Sequence, residues 1–268
     1  MKICICGKGG SGKSTVVVLL AYALKRTGKD VIVLDSDESN SNLFCMLGFD
    51  KSPRLLMDMV GGKKNIQQKM IARFTSGENE PTMTVWEMEK VPSREIPSDF
   101  VIKNDNYKLV VTGKIHHSME GCACPMGVVT REFLKKLELE TDEITLVDME
   151  AGLEHFGRGI ESSVDMVVCV VEPSLESIAL AAKVKSLTKT AGASFKGAIL
   201  NKIISSEQRS NMLDKLNNLA VPIIGTVGFH NEFQAACLEG KPLDTSTASA
   251  EMENIVHLVL KHARETSN

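Results

Sequence analysis

Between one apolar run, Ile3 to Cys6, and another, Val16 to Ala21, stands the segment Gly7-Lys8-Gly9-Gly10-Ser11-Gly12-Lys13-Ser14-Thr15. The order is strand, glycine loop, helix. Glycines let backbone N–H groups turn inward without Cβ clashes, and the helix N-terminus adds its positive end. That arrangement cradles phosphate oxygens. Gly7, Gly12, Lys13 and Ser14 fit the spacing G-x-x-x-x-G-K-[ST]. In it Lys13 reaches the β/γ-phosphates and the Ser14 hydroxyl is a Mg²⁺ ligand. Gly7, Gly9 and Gly12 also satisfy the dinucleotide spacing G-x-G-x-x-G, and Asp35 stands where that pattern wants an acid. Lys13-Ser14 decides between the two, because a dinucleotide site has no use for Lys and Ser directly after its third glycine.

Short Val/Ile/Leu runs then alternate with helical patterns. Strands are predicted at about 2–6, 31–35, 108–112, 144–148, 166–171, 196–201 and 222–227. Helices are predicted at about 13–27, 40–47, 127–139, 174–190, 206–217, 231–238 and 248–264. Near-continuous apolar strands imply a parallel sheet covered on both faces, with functional loops at the strand C-terminal ends. The expected fold is α/β, a mostly parallel sheet flanked by helices, in one phosphate-loop NTPase domain spanning 1–268. Residues of about 50–106 are expected to be an excursion from the sheet. Runs at 55–60 and 66–74 look helical, and 76–106 has no clear period.

Composition adds exclusions. Apolar residues are 43% and charged ones 24%, so a soluble globular chain is expected. A net charge of −3 argues against a general nucleic-acid binder. No apolar run reaches membrane-spanning length and Met1-Lys2 leads straight into a strand, so no membrane role and a cytoplasmic location are expected. The seven cysteines then read as reduced thiols. Cys169 falls in a buried strand, and Cys45 and Cys237 in helical patterns.

A phosphate loop needs a second acid for Mg²⁺ at another strand end, and Ile144-Thr145-Leu146-Val147-Asp148 supplies Asp148. The following Met149-Glu150-Ala151-Gly152-Leu153-Glu154 reads as a switch, in which Gly152 could swing its N–H toward the γ-phosphate.

Lys8 makes the pattern more specific. Lys8-Gly9-Gly10-Ser11-Gly12-Lys13-Ser14 resembles the deviant Walker A loop K-G-G-x-G-K-[ST] of the MinD/ParA/nitrogenase-iron-protein ATPases. Val33-Leu34-Asp35-Ser36-Asp37 is similar to their second acidic strand end. Asp148 to Glu154 resembles their D-x-x-A-G-[IL]-E switch, and Asn201-Lys202 their N-[KR] step. The resemblance implies a homodimer sandwiching two ATP molecules with Mg²⁺. It implies that Lys8 crosses to the partner's phosphates, and that Asp37 positions the attacking water, with Asp35 as second candidate. A helix N-cap with Ser39 is the structural alternative for both acids. ATP binding is implied for Gly9, Gly10, Ser11, Gly12, Lys13, Ser14, Thr15 and Gly152, with Asn201 reading the adenine. Ser41 stands where some relatives carry another acid and receives no role.

Two C-x-C pairs complete the reading. Cys4-Ile5-Cys6 lies in the first strand, with both thiols on one buried face. Cys122-Ala123-Cys124 sits between Gly121 and Pro125, in a predicted loop before a helix, where thiolate is favoured. Zinc and nickel sites usually take four ligands, and a two-fold axis would double two sulfurs to four. His116 and His117 are alternative ligands or ordinary loop histidines. Gly121 to Pro125, with the run Asp148 to Gly159, resembles CooC-type ATPases of carbon monoxide dehydrogenase maturation. That implies a homodimeric maturation ATPase that binds Ni²⁺ or Zn²⁺ and has carbon monoxide dehydrogenase as client. Two other functions fit the wider family: a positioning ATPase acting on membrane or DNA, and an ATP-gated iron–sulfur electron donor.

Overall fold

The computed structural model describes residues 1–39, 42–76, 86, 88–105, 107–114, 124–153, 159–191 and 193–265. In chain order the strands are β1 (Lys2–Gly7), β2 (Asp30–Ser36), β3 (Val91–Pro92), β4 (Ile102–Lys103) and β5 (Tyr107–Val111). They continue with β6 (Leu137–Glu138), β7 (Glu143–Met149), β8 (Met166–Val171), β9 (Phe195–Ile203) and β10 (Ile223–Gly228). The helices are α1 (Lys13–Arg26), α2 (Leu43–Met46), α3 (Leu56–Met59), α4 (Gly62–Ser76) and α5 (Cys124–Lys136). After them come α6 (Leu175–Thr190), α7 (Ser206–Asn218), α8 (Asn231–Glu239) and α9 (Ser249–Glu265).

The main sheet has eight strands in the order β10-β9-β8-β1-β7-β2-β5-β4. Its pairings are parallel except β4 on β5, which is antiparallel. The side-chain period of two sorts each inner strand between two cores. Ile3 and Ile5 of β1, with Val31 and Val33 of β2, face a layer containing Leu19, Phe233 and Ile255. Cys4, Cys6, Ile32 and Leu34 face the other layer, with Leu56, Phe133, Ile178 and Leu216. Both faces are therefore apolar, which explains the unbroken Val/Ile/Leu runs. Cys4 and Cys6 do share one buried face.

Register brings the functional strand ends together. Ile5 pairs with Asp148 and Gly7 with Val170, on opposite flanks of β1. Asp35 pairs with Asp148 across β2 and β7. Three loops thus leave one edge of the sheet side by side.

Some boundaries differ from the sequence reading. α5 begins at Cys124, with Pro125 in its first turn, rather than at 127. Proline lacks only an N–H that the first turn leaves unpaired anyway, so it starts this helix instead of holding the chain in a loop. The helix ends at Lys136 because Leu137 drops into the core and pairs with Val91. Between 50 and 106, Leu55 bridges to Val111 and Trp86 stacks on Phe133 at 5.7 Å between ring centroids. Cys237 is exposed on α8. The apolar face of α9, with Met252, Ile255, Val256 and Val259, is buried against the sheet. Among the described residues no helix is long and apolar enough to cross a membrane.

Candidate nucleotide site

The glycine loop leaves β1 at Gly7 and closes on α1. Gly12 caps that helix in the left-handed region, φ 90°. A Cβ there would lie 2.2 Å from Asn201 Nδ2, so the position admits only glycine. The loop is braced from outside: Asn201 Nδ2 donates to the Ser11 carbonyl at 2.8 Å, and Lys202 Nζ donates to that of Gly10. The Gly152 N–H donates to the Gly7 carbonyl at 3.2 Å, and Ala151 lies against Gly9, so the switch segment touches the loop.

Under the loop, the Ser14 hydroxyl donates to Asp148 Oδ2 at 2.6 Å. Asp148 Oδ1 is buried without a hydrogen-bond partner among the described residues. A buried carboxylate oxygen left unpaired is costly, and one aimed beside a serine hydroxyl suits a small hard cation. The residues present therefore fit Mg²⁺, with Ser14 and Asp148 on its protein side. Burial, then the neighbouring Asp35 charge, pushes the Asp148 carboxyl up to about 7, against the Ser14 hydrogen bond and the Lys13 charge. A carboxyl raised on folding takes up a proton, so it opposes folding above about pH 7 and ceases to as pH falls toward its ordinary value. The same proton competes with a cation. Mg²⁺-dependent nucleotide affinity is expected to weaken as pH falls from about 8 to about 6. Asp148→Asn is expected to bind weakly at every pH, without that slope. Calorimetric titration across the range checks both.

Asp35 and Asp37 sit together beyond β2. The N-cap of α2 is Asn42, so neither acid caps that helix. Asp37 Oδ1 instead accepts from the Ser39 N–H at 3.0 Å and hydroxyl at 2.6 Å. Asp35 is committed elsewhere: Oδ1 takes the Asp37 N–H at 3.1 Å and Oδ2 takes Lys114 Nζ at 2.7 Å. Burial pushes Asp35 up to about 6, opposed by the Lys114 charge. Lys8 points to acids of its own chain, Glu172 at 3.2 Å and Glu176 at 3.1 Å. Glu172 also takes Lys202 at 3.2 Å.

A cleft of about 460 Å³ opens over the loop, lined by Gly10, Gly12, Lys13, Ser14, Thr15, Asp37 and Asn201. Its far wall, Gly228 to Lys241, was missed by sequence reasoning. There the His230 and Phe233 rings pack at 5.0 Å between centroids. Glu251 holds the wall by accepting from the Gly228 N–H and pairing with His230, each at 3.1 Å. The available signal was the place of Gly228-Phe229-His230, directly after another parallel strand.

The proposed metal ligands fare differently. Cys122, His116 and His117 lie outside the described residues, as do Glu154 and 155–158 of the switch. Cys124 opens α5. Among the described residues no group of three or more His, Cys, Asp or Glu is placed to hold a metal.

The sequence model of the CobQ/CobB/MinD/ParA nucleotide-binding domain matches residues 3–243. The chain belongs to this family. Within the CobQ/CobB/MinD/ParA family its similarity extends over whole chains. An uncharacterized ATP-binding protein of Methanocaldococcus jannaschii is 37% identical, covering 97% of this chain and 100% of its own. The carbon monoxide dehydrogenase accessory protein CooC of Rhodospirillum rubrum is 32% identical, covering 97% of each. The cell-division ATPase MinD of Pyrococcus furiosus superposes with a TM-score of 0.66 at 20% identity, covering 97% of this chain and 98% of its own. That likeness shows the fold: a mostly parallel α/β phosphate-loop NTPase. The chain is thus an ATPase of the MinD/ParA group.

Proposed function

We propose that this ATPase is a maturation factor for carbon monoxide dehydrogenase or a closely related nickel enzyme. ATP binding would close a homodimer around a shared metal site. The observation that carries the reading is the Cys122-Ala123-Cys124 pair in a chain 32% identical, end to end, to a carbon monoxide dehydrogenase accessory protein.

The residues divide the work as follows. Gly9 to Thr15 wrap the phosphates, Lys13 meets their charge, and Asn201 borders the base. Ser14 and Asp148 would hold Mg²⁺, which would neutralise phosphate charge when bound. Asp37 orients water toward the γ-phosphorus. The water oxygen bonds to phosphorus, the bridging oxygen leaves with ADP, and the water protons leave with inorganic phosphate and solvent. Lys8 of the partner subunit stabilises the charge that develops. Movement at Gly152, which borders the loop through Gly7, carries the nucleotide state toward the partner and the Cys122/Cys124 pair.

Nickel-loaded protein, ATP and nickel-depleted carbon monoxide dehydrogenase together are expected to restore carbon monoxide oxidation. Omitting ATP or using Cys122→Ser is expected to prevent it. Restoration without this protein at the same nickel concentration would overturn the reading. Stimulation of ATP turnover by anionic vesicles or DNA would point instead to a positioning ATPase. A brown anaerobic preparation with iron and sulfide would point to an electron donor.

A further inference from the structure

Lys114 belongs to none of the nucleotide motifs. It follows β5, whose Val111 pairs in register with Asp35, and the Thr112 N–H donates to the Asp35 carbonyl at 2.9 Å. From there the side chain arches over the turn after β2. Nζ donates to Asp35 Oδ2 at 2.7 Å and to the Asp37 main-chain carbonyl. Asp35 Oδ1 takes the Asp37 N–H at 3.1 Å. Lysine, carboxylate and the Asp37 residue thus form a closed ring, in which both backbone polar groups of Asp37 are held. The Lys114 side chain is only 10% exposed. An ammonium placed so deep is costly unless its donors are used, so the geometry is specific rather than incidental.

We propose that Lys114 is a positioning residue for ATP hydrolysis. It fixes the backbone of Asp37, so that the Asp37 carboxylate meets water over the cleft at a set angle. This assignment rests on the ATPase reading above. Misplacing a catalytic group by about 1 Å can cost on the order of a hundredfold in rate. A neutral side chain of similar length takes the ammonium away from the carbonyl while the phosphate loop and Lys13 stay as they are.

The test measures steady-state ATP turnover and MgATP affinity on the full-length protein. Lys114→Met is expected to lower kcat roughly tenfold to a hundredfold, with MgATP affinity within about threefold of wild type. Lys114→Arg keeps the charge and its N–H donors, and is expected to recover kcat to within about threefold. The double variant Lys114→Met/Asp35→Asn has no uncompensated charge. It is expected to stay slow, because the ammonium is still missing from the Asp37 carbonyl.

An unchanged kcat in Lys114→Met overturns the proposal. So does a fall in kcat and affinity together with a lowered Tm, or recovery of full turnover in the double variant, since either makes Lys114 a charge neutraliser for Asp35. If Lys114→Met does not fold, Lys114→Gln keeps a neutral NH₂ donor and is read the same way, with a smaller expected loss. A wild-type protein with no ATP turnover refutes the ATPase reading and the Lys114 role with it. Wild-type turnover matched by Lys114→Met refutes the Lys114 role alone.

Discussion

Lys8→Ala is expected to lower ATP turnover on the order of a thousandfold while leaving MgATP affinity within about threefold, the signature of a cation supplied in trans. The loop geometry separates the two lysines. Lys13 is buried at the start of α1 and lines the cleft with Ser14. Lys8 sits at the other end of the loop, with its ammonium on Glu172 and Glu176. Removing Lys8 takes no cation from the chain's own phosphate pocket, so binding is spared. It takes the cation that a second subunit would present as charge builds between the γ-phosphorus and the bridging oxygen.

The same ion pairs make the experiment sharper. The pair with Glu176 is exposed on the glutamate side and so weak and screened by salt, while the pair with Glu172 is half-buried and shared with Lys202. In the proposed dimer the phosphates of the partner's ATP would compete with these acids for Lys8. ATP-dependent dimerisation, followed by light scattering, is therefore expected to disappear in Lys8→Ala together with turnover. Turnover unchanged from wild type would refute the trans role. A loss of turnover with dimerisation intact would confine Lys8 to chemistry rather than assembly.

What the sequence revealed and what it hid follow from the range of the interactions involved. The glycine loop, Asp35, Asp37 and Asp148 were legible because each is tied to a strand end by a few neighbouring residues. The α1 start and the alternation that buries Cys4 and Cys6 follow from that local grammar, whereas Ser14 and Asp148, 134 residues apart, were linked only through the Mg²⁺ role that each motif carries. Lys114 was invisible because its partners are 77 and 79 residues away in the chain. Glu172 was invisible for the same reason: it gathers Lys8 and Lys202, which meet only when β1, β8 and β9 lie side by side. The cleft wall at Gly228 to Lys241 required α9, whose Glu251 fixes it from the far end of the chain. Pro125 misled in the other direction. Its residue type says loop, yet the first turn of a helix accepts it, so Cys124 opens α5 instead of lying in a loop before it.

Cys122→Ser and Cys124→Ser, each alone, are expected to abolish tight binding of Ni²⁺ or Zn²⁺, a loss on the order of a thousandfold or more. The size of the effect comes from symmetry. If the two cysteines of each subunit meet across a two-fold axis, one substitution removes two of four thiolates. The metal is then bound at one per dimer, and metal alone promotes dimers in the absence of ATP, because a shared site links subunits by mass action. Thiolate ligation releases protons, so affinity is expected to fall as pH drops. Cys4→Ser and Cys6→Ser are the internal control. Both thiols are buried inside β1, and Cys6 Sγ donates to the Val168 carbonyl at 3.5 Å. A hydroxyl in place of either costs about 1–3 kcal/mol of stability and leaves metal affinity unchanged. Titrating anaerobic protein with metal, with mass followed by light scattering, reads stoichiometry and assembly in one experiment. A tight site at one metal per monomer with no dimerisation would sink the shared site and turn attention to His116 and His117. Loss of binding in Cys4→Ser or Cys6→Ser at unchanged Tm would remove the distinction between the two pairs on which the reading depends.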